Sequence, residues 1–360
     1  MSTLELVNVT KAYGNTVAVD GIDLKIENNE FFCIFGPPSS GKSTILRLFL
    51  GLAHADSGRV LIGGRDVTDV PPADRDLAMV FQNLALFPHL TARQNMEFPL
   101  RERRETQAII DARVKSVAEK LHITLLLEKF PAQLSGGERQ RVAIGRALVR
   151  KPSAYLMDEP IAALDARLRE EMRVELKRLQ REVGHTLVYV THDQEEAMSI
   201  ADRMAIVENG RIAQIGSPDE IYNNPASRYV AELVGSPPMN FIEGSIVSGR
   251  FRASKLDLEV NLDNGLSDRD IVLGIRPEDL SLHEGGGAQG HGSNFKVYET
   301  EPLGAYSIVD IIAGDIILKA QMRGLAGLSL GQEVALRIEP GHCHAFDPIN
   351  GANLLHNVMA

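Results

Sequence analysis

The stretch from Phe31 to Thr44 constrains this chain more than any other. Phe31-Phe32-Cys33-Ile34-Phe35 is an apolar run, and it feeds Gly36-Pro37-Pro38-Ser39-Ser40-Gly41-Lys42-Ser43-Thr44. A helical pattern then starts at Ile45-Leu46-Arg47-Leu48. Strand, small-residue loop and helix are the context in which G-x-x-x-x-G-K-[ST] holds phosphate. Backbone N–H groups of such a loop, aided by a helix N-terminus, converge on phosphate oxygens. Lys42 adds charge at the β/γ-phosphates, and the Ser43 hydroxyl is placed to ligate Mg²⁺. A chance glycine turn would account for the loop but not for the strand and helix around it. The chain is therefore expected to bind a nucleoside triphosphate. Pro38 and Ser39 are awkward in this loop, since Pro38 lacks an N–H and Ser39 carries a Cβ.

Around this loop the chain alternates strand and helix. Leu4, Leu6 and Val9 open a β region that continues through Val17–Val19, Ile22, Leu24 and Ile26. Arg59–Ile62, Leu77–Phe81, Ala154–Met157, Thr186–Val190 and Met204–Val207 read as further strands. Leu168, Met172, Leu176, Leu179 and Val183 form an apolar stripe at helical spacing. This alternation predicts a mostly parallel sheet with covering helices. From about residue 83 to 151 helical patterns dominate, with Ile109, Val114, Val117, Ala118 and Leu121 as an apolar set. That block reads as an insertion into the sheet domain. Turn residues at Asn223-Asn224-Pro225 and Gly235-Ser236-Pro237-Pro238 mark a boundary. Beyond it, Ile271–Ile275, Tyr306–Ile312, Ile316–Met322 and Val334–Ile338 predict a small all-β domain. The glycine run 285–292 lacks a following Lys-Ser/Thr and reads as a hairpin loop.

Two further constellations carry chemistry. Ala154-Tyr155-Leu156-Met157-Asp158-Glu159 is an apolar strand ending in two carboxylates. Beside a phosphate loop, Asp158 suits Mg²⁺ coordination, and Glu159 can orient and deprotonate a water. Ser135-Gly136-Gly137-Glu138 opens a helix that continues through Val142, Ile144 and Leu148. Ser135 with Glu138 fits a capping box. The two glycines also leave bare backbone N–H groups, which would form a second anion site.

Ser-Gly-Gly-Glu between a phosphate loop and a strand ending in Asp158-Glu159 resembles the signature of ABC-transporter ATPases. The resemblance implies an α/β P-loop (RecA-like) domain over 1–235, with a β-rich arm and the helical insertion. It implies that Tyr13 stacks on adenine. ATP would contact Gly36, Ser39, Ser40, Gly41, Lys42, Ser43, Thr44 and, from a second subunit, Ser135, Gly136 and Gly137. Asp165, in Ala163-Leu164-Asp165, matches the D-loop; Gln82 matches the Q-loop glutamine near Mg²⁺; His192 matches the switch histidine at the γ-phosphate. Catalysis would rest on Glu159, His192 and Gln82, and metal binding on Ser43, Gln82 and Asp158. Gly235–Phe241, Gly274-Ile275-Arg276-Pro277-Glu278, Glu301–Gly304 and Phe346-Asp347 look like the OB-like regulatory domain, over 236–360, of the maltose-type subfamily. That subfamily energises import of carbohydrates and glycerol phosphate. Its members dimerise head to tail, which fits one of each half-site per chain. The sequence departs from the family at Ala162, where Ser is frequent, and at Pro38-Ser39, where Ser-Gly is usual.

Composition limits the partners. With Lys+Arg 38 against Asp+Glu 48, the net charge of -10 argues against nucleic acid as the main partner. The N-terminus lacks a basic-then-apolar signal sequence. No apolar run reaches the roughly 18 residues of a membrane span. The expected setting is the cytoplasmic face of the cell membrane. There the chain would be a peripheral homodimer, or a heterodimer with a second ATPase, on transmembrane permease subunits, served indirectly by an extracytoplasmic solute-binding protein. A soluble ATPase acting on DNA or ribosomes is the competing class, as is a partner with weakened hydrolysis. Sugars or polyols lead as solutes, glycerol phosphate follows, and polyamine or ferric ion is the outer alternative. The 2 cysteines, Cys33 and Cys343, fit a reducing compartment. Strand alternation at His342-Cys343-His344 would put both imidazoles on one face, a weak metal signal.

Overall fold

A computed structural model describes residues 2–162, 164–262, 265–284, 292–324 and 327–355. The chain divides into two compact units, Met1–Asp219 and Glu220–Ala360. The first runs β1 (Leu4–Tyr13), β2 (Thr16–Ile26), β3 (Phe31–Phe35), α1 (Lys42–Leu50), β4 (Ser57–Ile62), β5 (Arg65–Asp66) and β6 (Leu77–Val80). Then come α2 (Ala92–Glu102), α3 (Gln107–Lys120), α4 (Gly136–Leu148), β7 (Ala154–Asp158), α5 (Ala166–Val183), β8 (Thr186–Thr191), α6 (Gln194–Ile200), β9 (Arg203–Glu208) and β10 (Arg211–Gly216).

Six of these strands form one sheet in the order β10-β9-β3-β8-β7-β6. β9, β3, β8, β7 and β6 pair in parallel, and β10 closes the edge antiparallel. Strands buried on both faces read as unbroken apolar runs. β3, β7 and β8 are buried at every position. A second, antiparallel sheet of order β2-β1-β4-β5 forms the arm. Phe32 and Ile34 of β3 share one core with Ile45, Leu46, Leu48 and Phe49 of α1, so burial fixes the helix against the sheet. The helical block sits between β6 and β7, as an insertion should. Its α3 buries Ile110, Val114 and Ala118, not the expected Ile109, which is 37% exposed. Val114, Ala118 and Leu121 of the expected set are buried; Ile110 takes the place of Ile109, and Val117 lies at the margin of the face.

The second unit holds α7 (Pro218–Asn223), whose first residues carry the division, and α8 (Arg228–Leu233). It continues with β11 (Asn240–Val247), β12 (Arg250–Ala253), β13 (Glu259–Asn261), β14 (Arg269–Ile275), β15 (Leu280–Glu284) and β16 (Gly292–Pro302). β17 (Tyr306–Ala313), β18 (Ile316–Arg323), β19 (Glu333–Ile338) and β20 (Cys343–Phe346) complete it. Two antiparallel five-stranded sheets, β13-β12-β11-β14-β20 and β15-β19-β16-β17-β18, enclose Phe251, Leu273, Phe295, Val309 and Leu336. This is the small all-β architecture expected after residue 236.

The compact units part at Asp219, and Ala231 of α8 packs with Met239, Val272 and Phe346 of the β unit. One reading needs correction. His342 ends a 3₁₀ turn, Pro340–His342, before β20 begins, so strand alternation does not relate it to His344. The glycine run falls at 285–291 outside the described residues, and Gly292 opens β16. Ala163 of the D-loop also lies outside them. Cys33 and Cys343 are both buried and unpaired.

Candidate nucleotide site

In an open parallel sheet, ligands gather beyond the carboxyl ends of the strands. β3 ends at Phe35, β7 at Asp158 and β8 at Thr191, so the phosphate loop, the two carboxylates and His192 share one edge. The loop keeps its close approach through Gly36, where a Cβ would come within 2.5 Å of the Val207 carbonyl oxygen. Gly41 takes φ 109° as the N-cap of α1, and no side chain caps that helix. By contrast Thr91, Ser135, Asp165 and Asp193 cap α2, α4, α5 and α6. The first N–H groups of α1 are thus left for an anion. Ser40 Oγ is buried without a hydrogen-bond partner. A buried unpaired hydroxyl in such a loop points to a missing polar ligand. Thr44 is buried in the first turn of α1.

Lys42 is 5% exposed, and its ammonium donates to the carbonyls of Gly36 at 2.8 Å and Pro37 at 2.7 Å. Burial pushes its pKa down, against the attraction of Glu159 and Asp158. Ser43 Oγ donates to Asp158 Oδ1 at 3.1 Å. Burial raises the Asp158 pKa, Ser43 pulls it back, and neighbouring Glu159 raises it further. A hydroxyl and a carboxylate side by side are hard oxygen donors, the set that Mg²⁺ prefers. Glu159 follows with φ 45°, a left-handed value that a non-glycine residue adopts at a cost of about 1 kcal/mol or more. This turn lifts its carboxylate out of the sheet. There Gln82 Nε2 donates to Oε2 at 3.1 Å, and His192 Nδ1 lies 2.9 Å from Oε1.

The remaining expected residues stand apart from this cluster. Tyr13 ends β1 and is 48% exposed, and Lys11 Nζ lies 5.4 Å from its ring centroid. Ser135 and Glu138 form the full capping box: Ser135 N–H donates to Glu138 Oε2 at 2.7 Å, and Glu138 N–H to Ser135 Oγ at 3.2 Å. Gly136 is exposed, and a Cβ there would meet nothing within 4 Å. Gly137 is buried, and a Cβ there would overlap Leu168 of α5. Gly137 is thus packed against Leu168, whose side chain would have to move to admit a Cβ, while Gly136 leaves open backbone. Asp165 caps α5 by accepting from Leu168 N–H at 2.9 Å.

Sequence reasoning missed a support behind His192. Glu196 is 2% exposed, and its Oε2 accepts from the hydroxyls of Tyr189 at 2.8 Å and Thr191 at 2.7 Å. Asp193 caps α6 through Glu196 N–H at 3.1 Å. Arg169 donates to Leu164 O at 3.1 Å and lies 3.4 Å from Asp193 Oδ2. The Asp193-x-x-Glu196 spacing was a readable cap signal; nothing in the sequence announced Arg169.

An α/β core with this edge is the nucleotide-binding unit of a P-loop ATPase. Family models match in succession: "ABC transporter" over residues 19–162, "MalK OB fold domain" over 235–280 and "TOBE domain" over 273–346. The trehalose/maltose import ATP-binding protein MalK of Thermococcus litoralis is 43% identical over 98% of this chain and 99% of its own length. The sn-glycerol-3-phosphate import ATP-binding protein UgpC 3 of Rhizobium etli is 44% identical over 95% and 97%. The dimeric bacterial ABC transporter cassette MJ0796 superposes with a TM-score of 0.55 at 33% identity, covering 60% of this chain and 98% of that one. A further structure of that cassette, also dimeric, holds ADP and Pi. The chain belongs to the ABC-transporter ATP-binding subunits, in the MalK/UgpC importer subfamily.

Proposed function

We propose that this ATPase subunit hydrolyses ATP with Mg²⁺ to drive import of a sugar, polyol or glycerol phosphate. The observation that carries the site reading is the Glu159 carboxylate, held between Gln82 and His192 one residue after Asp158. Glu159 is the group that orients and deprotonates the attacking water. His192 contacts the γ-phosphate, and Lys42 turns from the Gly36 and Pro37 carbonyls to the β/γ-phosphates. Ser43, Asp158 and Gln82 are the residues that would hold Mg²⁺, which when bound would neutralise phosphate charge. Tyr13 stacks on adenine. Ser135, Gly136 and Gly137 of a second copy close over the nucleotide held by Gly36, Ser39, Ser40, Gly41, Lys42, Ser43 and Thr44, with Asp165 beside it. The solute class is supported by relatives whose names specify trehalose/maltose and sn-glycerol 3-phosphate import.

Among the described residues no helix is long and apolar enough to cross a membrane. Separate permease subunits supply the path, and the ATPase sits on the cytoplasmic face. A groove of about 510 Å³ beside Gln82, with Leu52, Phe81 and Phe98 exposed along it, fits a permease segment. The test has two arms. ADP release by the purified protein should depend on Mg²⁺ and stop in EDTA; EDTA-resistant turnover would overturn the metal assignment. Deleting the gene in its host should abolish uptake of labelled maltose, trehalose or glycerol 3-phosphate. If only polyamine or ferric-ion uptake falls, the solute class is wrong.

A further inference from the structure

The second unit contains a cavity of about 370 Å³ that the nucleotide chemistry does not use. Its walls come from three corners of that unit: the end of α7 at Tyr222, the segment after β14 with Arg276, Glu278 and Asp279, and the entry to β20 with His342 and His344. The volume lies at the lower end of the range for small-molecule sites.

Arg276 builds the wall. It is 3% exposed, and its guanidinium stacks 3.8 Å from the Tyr222 ring centroid. One nitrogen donates to Tyr222 O at 2.6 Å, and the other to Val234 O and Ala231 O. Tyr222 hydroxyl in turn donates to Glu278, and His342 Nδ1 lies 2.6 Å from Asp279 Oδ1. These contacts fix the polar groups before any ligand arrives. His344 is different. Among the described residues no hydrogen bond engages its ring, whose neighbour is Phe346 at 6.1 Å between centroids.

We propose that this cavity binds a small neutral polyhydroxylated molecule, a sugar or a polyol. Charge excludes the other classes. An oxyanion would meet Glu278 and Asp279, while the Arg276 fork that could hold it is engaged by backbone carbonyls. A cation would meet Arg276, and both carboxylates already have partners. Among the described residues no cluster of His, Cys, Asp and Glu has the arrangement of a metal site. A hydroxyl both donates and accepts, and so does a neutral imidazole through its two nitrogens. Burial, with Arg276 and His342 nearby, lowers the His344 pKa to about 4, so the ring is neutral at physiological pH. Asp279, Glu278 and the His342 ring supply further hydrogen-bonding edges around it.

The test uses the full chain and calorimetric titration with trehalose and with sorbitol, beside inorganic phosphate and spermidine. Saturable binding of trehalose or sorbitol is expected, with Kd at or below about 1 mM. His344→Ala should weaken it about tenfold or more, and Glu278→Gln by less than about threefold, since glutamine still accepts from Tyr222. Gly341→Leu gives a second route, because a Cβ at Gly341 meets nothing within 4 Å and the side chain would fill the cavity. Melting temperature and ATP binding serve as controls for folding, so a defective nucleotide site is distinguishable from an empty cavity. The proposal is overturned if neither polyol binds below about 10 mM. It is equally overturned if Gly341→Leu leaves binding intact, or if spermidine or phosphate binds instead and Glu278→Gln alters that binding.

Discussion

His192 Nδ1 lies 2.9 Å from Glu159 Oε1, and the two residues come from the ends of neighbouring strands β8 and β7. With Gln82 on the other oxygen, the carboxylate has a fixed orientation before nucleotide arrives. Preorganisation of this kind suits a base that must meet one water. Glu159→Gln keeps the shape, and its one carbonyl oxygen can still accept from one of the two partners, but it cannot take a proton. Steady-state ATP turnover should fall by about 100-fold or more while ATP affinity stays within a few-fold. ATP should then hold two subunits together, because a ligand stabilises the state that binds it. Phosphate release and light scattering on the pure variant decide this. Substantial residual turnover would mean that another group activates the water.

His192 is half exposed, and Glu159 is the one hydrogen-bond partner of its side chain among the described residues. Its removal leaves no hole in a core. His192→Ala should therefore shift the melting temperature by no more than about 2 °C while stopping turnover. A drop of many degrees with proportionate loss of activity would give the residue a structural role instead.

The division at Asp219 makes truncation informative. Val230, Ala231 and Val234 of the α8 segment are fully buried, and the carbonyls of Ala231 and Val234 accept from Arg276. A chain ending at Gly235 would carry that apolar face into water; a chain ending at Asp219 would not. Both should bind ATP, but the longer one should aggregate more readily in size-exclusion chromatography. If 1–219 fails to fold while 1–235 is well behaved, α8 belongs with the nucleotide-binding unit.

His344 should leave a pH signature. Its folded pKa of about 4 lies below the ordinary 6.5, so between these values the unfolded chain binds more protons. Stability from this group is complete above pH 6.5 and is lost as pH falls toward 4. The loss should be on the order of 2 kcal/mol, allowing for the ring's partial exposure. Burial raises the Asp279 pKa, which acts with the opposite sign at its own titration. The readout is thus the difference between the protein and His344→Gln in urea unfolding at pH 7 and pH 4.5. Equal pH slopes would contradict the buried neutral imidazole.

How much of this was legible follows from the kind of force involved. β3, β7 and β8 were readable because a strand buried on both faces has to be an apolar run. The loop was readable because glycine, lysine and serine are each required by phosphate geometry. The nearness of Glu159, Gln82 and His192 was not available from composition or spacing; it came from family resemblance, since three separate loops meet only when the sheet order is set. Gly137 shows the limit in reverse. Its place beside a helix N-terminus invited an anion reading, yet it is buried against the side chain of Leu168, thirty-one positions on, which would have to move to admit a Cβ. Likewise one position of the α3 face was misread, because Ile109 and Ile110 are equally apolar and only packing chooses between them.

The loop at Pro38-Ser39 tests whether a strained phosphate site still works. Ser39 adopts φ 64°, the left-handed region that the missing glycine would occupy freely. For a residue with a Cβ this costs on the order of 1 kcal/mol. Pro38 withholds an N–H from the cradle and restricts Pro37 before it. The strain corresponds to a few-fold to tenfold in nucleotide affinity. That is too little to abolish function while Lys42, Ser43, Asp158 and Glu159 are in place. The double variant Pro38→Ser, Ser39→Gly should therefore bind ATP about three- to tenfold more tightly, with turnover equal or higher, measured beside the unaltered protein. A homodimer that already turns over ATP at an ordinary rate would leave no need for a second, regular ATPase as its partner. One that is inactive until the loop is restored would favour the heterodimer. If the double variant binds equally or less well, the left-handed Ser39 is not a burden on binding, and the loop reaches phosphate without the glycine.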